Sequence, residues 1–573
     1  MSSESDLPNR TKGEAPAQAA PADEDAARAA RRLSHRRALY WMLAVVALAV
    51  AVRLPLLAFP MGESAGTAAY VGQRWLDGAV PYRDAWDYRA PGLYLLSGII
   101  ARRIAPLTAS AEEGVLRLFQ GSKAMRVRVG EAIPETGRLV ALAIDLATVL
   151  LVYQFVRRWC KRTEAVVAAG VCAFFGGAMR VQGDCLDPQH AMTLFVALSM
   201  LAALRSDGQR WPWLALSGLA AGLATCFEAL AVLYLLALMA WVVATNGGSR
   251  SGLTRWVLRP AVMLLAGAAP VGAFVLYFWL HGALGELWRS AVVYNVLYRW
   301  LPLAAGEARH WSAIRSLAPE QGALWLFAIG WVLHAFSMGF GRETGLVALW
   351  GVVAVAAAMA TRRVETSHFF QAVPPLAIGA ALALTNPSEP FLQRDARGRI
   401  ETRSALLLVM AGALAFGFLY VEWRVYLAQA ASDELTTPRA VFTVADLIHD
   451  NTWRRDPIYV FGWHPQIYVL ADRPAAHRYF YSSPLVVSER LRKEYFGPNV
   501  FSDILGKLKK EEPPFIVAVT GFLPADLDRE RLAPEVKWSE FIRKRYVPWK
   551  VLDVGKTTFT VYAREDHVPR ELP

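Results

Sequence analysis

The sequence predicts a polytopic α-helical membrane protein with about 11 transmembrane helices, followed by a soluble α/β domain. Three observations carry this. The 573 residues are 55% hydrophobic and 19% charged, with a mean hydropathy of +0.27, too apolar for a soluble chain of this size. Apolar runs of near-spanning length recur between residues 38 and 425. From residue 429 onward the runs shorten to strand length and alternate with helical stretches.

Residues 1–37 are rich in Ala, Pro, Ser and charge and end in the basic cluster ARAARRLSHRR, which predicts a disordered cytoplasmic tail. A cleaved signal peptide does not fit, because the polar tail is long and no small-residue cleavage site follows the first apolar run. Spanning helices are expected at 38–59, 139–157, 164–181, 189–204, 213–226, 228–245, 260–280, 321–338, 344–361, 369–385 and 405–425. The pair within 213–245 is either one long tilted helix or two, with Glu228 in its middle favouring a break. With the N-terminus inside, every cytoplasmic segment carries Arg, from Arg36/Arg37 through RRWCKR (157–162) to QRDARGR (393–399). The same count places 60–138, 281–320, 362–368 and 429–573 outside. Residues 38–428 then form the membrane domain, with 60–138 its large first outer loop. GLYLLSGIIA (92–101) is too short to span and is expected to lie in the interface or re-enter.

The net charge of +12 does not require nucleic acid, since the basic residues sit in short segments between apolar runs, as the positive-inside rule explains. The 20 tryptophans suit interfacial belts. Cys160, Cys172, Cys185 and Cys226 lack CxxC spacing and read as small buried hydrophobes. In the C-terminal region, strands are expected at 457–463, 514–519 and 557–563, with helices at 487–496 and 500–512.

The most informative stretch is 61–92, MGESAGTAAYVGQRWLDGAVPYRDAWDYRAPG. It holds Glu63, Asp77, Asp84 and Asp87, three arginines and a Trp/Tyr cluster directly after an apolar helix. Acids and aromatics at a membrane face suit a polar, uncharged substrate carried on a lipid, which favours an enzyme over a channel. A secondary transporter fits less well, as no inverted repeat is visible.

Five stretches resemble the GT-C glycosyltransferases, specifically the family 39-like group related to protein O-mannosyltransferases and aminoarabinose transferases. They are AYVGQRWLDGAVPYRDAWDYRAPGLYLL (69–96), RLVALAIDLATVLLVYQFVRRW (138–159), SGLAAGLATCFEALAVL (217–233), ETSHFFQAVPPLAIGAAL (365–382) and DPIYVFGWHPQIYVLADRPAAHRYFY (456–481). The resemblance implies a GT-C fold in a bacterial cytoplasmic membrane. It also implies transfer of a sugar from a polyprenyl-phosphate donor to an outer glycan, lipid or protein acceptor, with inversion. A first-loop acid would serve as general base and arginines would hold the phosphate.

On this resemblance the catalytic candidates are Glu63, Asp87 and Asp84, and the substrate-binding candidates are Arg89, Arg362, Arg363, His368 and Tyr82. The group usually has Asp-Glu or Asp-Asp before Gly, Tyr-x-Gly-Gln. This chain has Ser64-Ala65-Gly66, so both expected acids are missing and Glu63 lies one residue upstream. Glu63 is either the replacement base or a solvated or N-capping acid, and a catalytically inactive homologue that binds or moves lipid-linked sugars is the rival reading. Glu228 stands where relatives tend to have Lys. Ordinary alternatives also stand: a salt bridge from Asp87 to Arg89 or Arg83, a PYRD turn at Asp84, an interfacial His368, a surface Arg89. Asp187-Pro188 reads as a helix cap, Asp77-Gly78 as a helix-ending turn and Arg53 as a snorkelling side chain. No metal-ligand spacing is present, though a divalent cation stays open.

Overall fold

The computed structural model describes residues 39–53, 61–111, 129–178, 186–207, 209–245, 252–300, 309–339, 341–360, 364–385, 436–482, 489–520, 532–554 and 557–569, with single residues 36, 181, 420 and 487. The expected tail 1–37, apart from Arg36, and the expected span 405–425, apart from Tyr420, lie outside these residues. So do Arg362, Arg363, Asp184 and Cys185.

The membrane part is helical: α1 (Leu39–Arg53), α2 (Glu63–Leu76), α3 (Pro91–Ile99, helical onward to 111), α4 (Val129–Val156), α5 (Arg162–Phe175), α6 (Pro188–Ser206), α7 (Trp211–Thr225), α8 (Val232–Thr245) and α9 (Arg259–Leu280). Then come α10 (Leu284–Leu287, helical onward to 300), α11 (Arg309–Met338), α12 (Arg342–Met359) and α13 (Val373–Thr385). Among the described residues four helices are long and apolar enough to cross a membrane: Ala132–Val156, Trp256–Leu280, Arg342–Met359 and Thr366–Thr385. Their neighbourhood exposes apolar side chains that water would penalise, among them Leu265, Leu280, Leu326, Leu333 and Phe336.

Residues 213–245 are two helices. The chain breaks at Cys226–Glu228, turns through Ala229–Ala231 and restarts at Val232. Helices α4 and α11 begin well before the expected spans and run through Pro134 and Pro319, where the sequence suggested later starts. Arg53 does not snorkel. It is buried and pairs with Asp145 of α4 at 2.7 Å, while also donating to the Gly176 carbonyl at 2.8 Å. That pairing is what an arginine at membrane depth requires.

The expected outer loop contains α2 and α3, which cross at Gly72 and Gly98. A Cβ on either glycine would run into the other helix's backbone, so only Gly permits this approach. Glu63 in the first turn of α2 and Arg74 in its last turn complement the helix dipole, and the helix stops at Gly78, whose φ of 99° is open to glycine.

The C-terminal region contains α14 (Thr436–Asp450), β1 (Ile458–Phe461), α15 (Gln466–Ala471), α16 (Glu489–Leu491, helical onward to 496), α17 (Val500–Glu511), β2 (Phe515–Thr520), α18 (Leu532–Arg545), β3 (Tyr546–Val554) and β4 (Thr557–Arg564). The sheet order is β1-β2-β4-β3, with β1 and β2 parallel and the other pairs antiparallel. Strand β3 was not expected from sequence. It lies at the edge, carries Pro548 and has a register break between Pro548 and Lys550, all of which hide a strand pattern. Helix α15 packs on α2: Tyr70 stacks near Tyr468 and Phe480, and its hydroxyl accepts the Ala475 N–H at 2.7 Å. One buried core therefore runs without interruption from α2 and α3 into the sheet.

Candidate functional site

The segment between α2 and α3 contains a tight turn. Tyr82 takes a left-handed φ of 69°, its N–H donates to the Ala85 carbonyl, and Asp84 accepts the Val80 N–H at 2.8 Å. Asp84 also accepts two bonds from Arg83, and these hold its carboxyl below the usual range. Arg83 reaches the His281 carbonyl at the end of α9, so this pair fastens the turn. The buried Tyr82 hydroxyl donates to the Arg89 carbonyl at 2.8 Å.

Asp87 is completely buried. Its Oδ2 accepts from Arg89 at 2.7 Å and from the Tyr94 hydroxyl at 2.8 Å, and its Oδ1 accepts from the Tyr481 hydroxyl at 3.0 Å. Tyr481 comes from the C-terminal region. So do the Arg478 carbonyl and the Tyr495 hydroxyl, which accept from the backbone and indole N–H of Trp86. Arg89 spans two partners, Asp87 and the Ser64 hydroxyl at 2.9 Å, and lies 5.2 Å from the centre of the Tyr88 ring. Burial opposes its charge, but Asp87 together with Tyr88, Tyr94 and Tyr481 more than offsets burial and favours the charged form. Ser64 is one of the two residues standing where acids were expected.

A second wall comes from α6 and the turn before α13. Asp187 caps α6 by accepting the Gln189 N–H at 2.9 Å, as the Asp-Pro pair suggested. Burial pushes its carboxyl up, against the Gln189 N–H and the positive fields of His190, His368 and Arg89. Helix α6 packs against the 365–372 turn, and its first residue, Pro188, lines a cavity with Arg89. His190 is fully buried against Phe370, with Nε2 3.6 Å from Asp145. His368 is half-buried and accepts the Glu365 N–H at Nδ1, the same capping arrangement as Asp187 and His190.

Two cavities flank this centre. One, about 390 Å³, is lined by Tyr88, Arg89, Pro188, Phe227, Glu228 and Asn295. The other, about 470 Å³, is mostly apolar and runs between α2, α3 and α4, with Met61, Gly62, Ala65, Ile100 and Ile133 on its walls and Arg138 among them. Glu63 sits beside this groove, between Gly62 and Ser64. Desolvation by surrounding protein raises its carboxyl to about 7. The Glu63 side chain is exposed, so solvent screens part of this effect. Among the described residues no cation pairs with its side chain.

The structure thus joins Asp87, Arg89 and Tyr82 by hydrogen bonds, sets His368 on the turn that packs against α6, and puts Glu63 next to Ser64, with Asp84 facing outward. Sequence reasoning missed Tyr481, Asn295, Asp145 and His190. The Asp-Pro-x-His spacing could have signalled His190, but nothing local announces Tyr481. Among the described residues no group of three His, Cys, Asp or Glu side chains is placed to hold a metal ion.

The family described as dolichyl-phosphate-mannose-protein mannosyltransferase matches residues 129–274. The structure is similar to ArnT from Cupriavidus metallidurans bound to undecaprenyl phosphate, at 15% identity and a TM-score of 0.55, covering 92% of this chain and 99% of that one. The apo state of the same ArnT matches at 14% identity and 0.54, covering 94% and 100%. Archaeal oligosaccharyltransferase AglB from Archaeoglobus fulgidus, in complex with an inhibitory peptide and a dolichol-phosphate, matches at 12% identity and 0.51, covering 93% and 75%. At such identities the likeness establishes the fold. No curated protein matches the sequence.

Proposed function

Since this chain has the GT-C glycosyltransferase fold, we propose that it moves a sugar from a polyprenyl-phosphate donor to an extracytoplasmic acceptor, with inversion. The observation that carries the reading is Arg89, a guanidinium anchored by a buried carboxylate in the wall of a cavity. Its side-chain bonds to Asp87 and Ser64 leave further N–H donors for a phosphate. ArnT with undecaprenyl phosphate and AglB with dolichol-phosphate support the donor class.

In this reading the acceptor hydroxyl oxygen attacks the anomeric carbon while the bond to the phosphate oxygen breaks. The hydroxyl proton passes to Glu63, and the departing phosphate keeps the electron pair. Arg89 and His368 meet the developing charge, with Arg362 and Arg363 assigned to the same task by their position before His368. Asp87 has both oxygens engaged by protein, so we assign it to positioning Arg89. Asp84 holds the turn, and Tyr82 fixes the Arg89 backbone. The apolar groove beside Glu63 suits the donor's isoprenoid chain. The acceptor is a lipid-linked glycan, a polysaccharide or a protein, and the protein works in a bacterial cytoplasmic membrane with its C-terminal region outside.

One observation favours a second reading, a homologue that binds lipid-linked sugars without transferring them. Ser64 and Ala65 occupy the expected acid positions, and Arg89 bonds the Ser64 hydroxyl instead of a second carboxylate. Mass spectrometry of cell-envelope glycans with and without the protein tests transfer: a missing sugar supports it. An unchanged glycan profile, with no transfer by purified protein from polyprenyl-phosphate sugars, would favour the silent homologue.

A further inference from the structure

We propose that the joint between the first outer loop and the C-terminal region is a binding site for a phosphate-type anion, separate from the Arg89 cavity and independent of the transfer reading. A cavity of about 260 Å³ opens between the end of α2, the α3 helix and the turn after α15. Four guanidiniums line it, from Arg74, Arg102, Arg454 and Arg473, against two carboxylates, from Asp77 and Asp472. The site therefore carries a net charge of +2.

Part of this cluster is a clasp. Arg102 bridges Asp77 at 2.6 Å and Asp472 at 2.9 Å, and Arg454 shares Asp472 at 2.9 Å. Arg473 spends its donors on the carbonyls of His449, Thr452, Ala471 and Asp472 and on the Thr452 hydroxyl, so it adds field rather than a free fork.

A clasp alone leaves two things unexplained. The Arg102 Nε is buried without a partner, and a buried donor left unpaired is costly unless something satisfies it. Gln73 lines the same cavity. Arg74 reaches Asp77 only at 3.9 Å, which leaves its fork available.

A tetrahedral oxyanion with two negative charges answers both. It balances the excess charge, accepts from the Arg74 and Arg454 forks, and takes the Gln73 amide N–H. The cavity is the smallest of the three described, which suits one phosphate group rather than a whole lipid-linked sugar. The 14 residues of α2 separate this end from Glu63 by about 20 Å. An anion held here would tie α2 to the C-terminal region, since Arg74 and Arg454 belong to opposite sides of the joint. The phosphate is either free or carried on a lipid.

The test is thermal unfolding of the purified full chain in neutral detergent, titrated with inorganic phosphate, with dihexanoyl phosphatidic acid, and with chloride at matched ionic strength. Wild type is expected to show a saturable rise in midpoint with at least one phosphate probe and none with chloride. A response to inorganic phosphate assigns a free anion, and a response to the phospholipid alone assigns a lipid source. Gln73→Leu and Arg74→Gln, neither of which touches the Arg102 bridge, should each weaken the response at least tenfold. A wild type that responds equally to phosphate and chloride, or an Arg74→Gln protein that responds like wild type, would overturn the site.

Discussion

Replacing Asp87 by Asn should expose how far Arg89 depends on it. The carboxylate is fully buried and the Arg89 side chain is 18% exposed. Removing one member of a buried ion pair costs about 3–5 kcal/mol, because the other charge is left uncompensated. Asparagine keeps the volume and one acceptor oxygen, and Arg89 retains Ser64 and some water, so the expected cost is about 3 kcal/mol. The double variant Asp87→Asn/Arg89→Met removes the stranded charge as well. Its cost should fall to about 1 kcal/mol, giving a coupling of at least about 2 kcal/mol in the double-mutant cycle. The assay is denaturant unfolding in detergent, run beside transfer turnover. Stability should recover in the double variant while transfer does not, since the phosphate-binding guanidinium is gone. Strictly additive costs, with coupling under about 0.5 kcal/mol, would refute the idea that Asp87 exists to hold Arg89.

Glu63→Gln should abolish transfer, and wild-type rate should rise with pH toward about 7, because the raised carboxyl must lose its proton to act as a base; unchanged turnover in the variant, or a flat profile, would remove Glu63 from the mechanism. His464 is buried in the C-terminal region, and burial holds its pKa down at about 4. The unfolded state then binds the extra proton between about pH 6.5 and 4, so stability should fall as pH drops through that window, by about 3 kcal/mol for this residue alone. His464→Phe should flatten that part of a stability–pH curve, and a curve unchanged by the substitution would count against it. Gly98→Val drives a side chain into the α2 backbone and should prevent folding or cost several kcal/mol, about 3 or more; a stably folded variant, seen by gel filtration and melting, would mean the crossing can open.

The parts that sequence conveyed well are those written in composition and short-range pattern. Hydropathy located apolar helices among the described residues, the Glu228 break fell where a charge interrupts an apolar run, and Asp187-Pro188 capped as such a pair should. The loop motif drew attention to Asp87, Arg89 and Tyr82 together. Two kinds of feature stayed hidden. Helix starts upstream of Pro134 and Pro319 were lost because proline reads as a boundary in water, while packed helices tolerate it. Residues joined across long separations were lost altogether: Tyr481 on Asp87 and Asp145 on Arg53 have no local signature, and the unforeseen edge strand β3 is marked by a proline that argues against it.

The Tyr481–Asp87 bond also sets an order of events during synthesis. Its two ends lie 394 residues apart. At about 5–20 residues per second, roughly 20–80 s pass between translation of the loop and translation of the tyrosine that finishes it. Through that interval Asp87 and Arg89 have each other and Tyr94 but not Tyr481, and Trp86 lacks the Arg478 and Tyr495 contacts that enclose it. The loop is thus among the first parts of the chain to be made and among the last to be completed. A nascent chain arrested before residue 481 should leave it open to proteases that the finished protein resists.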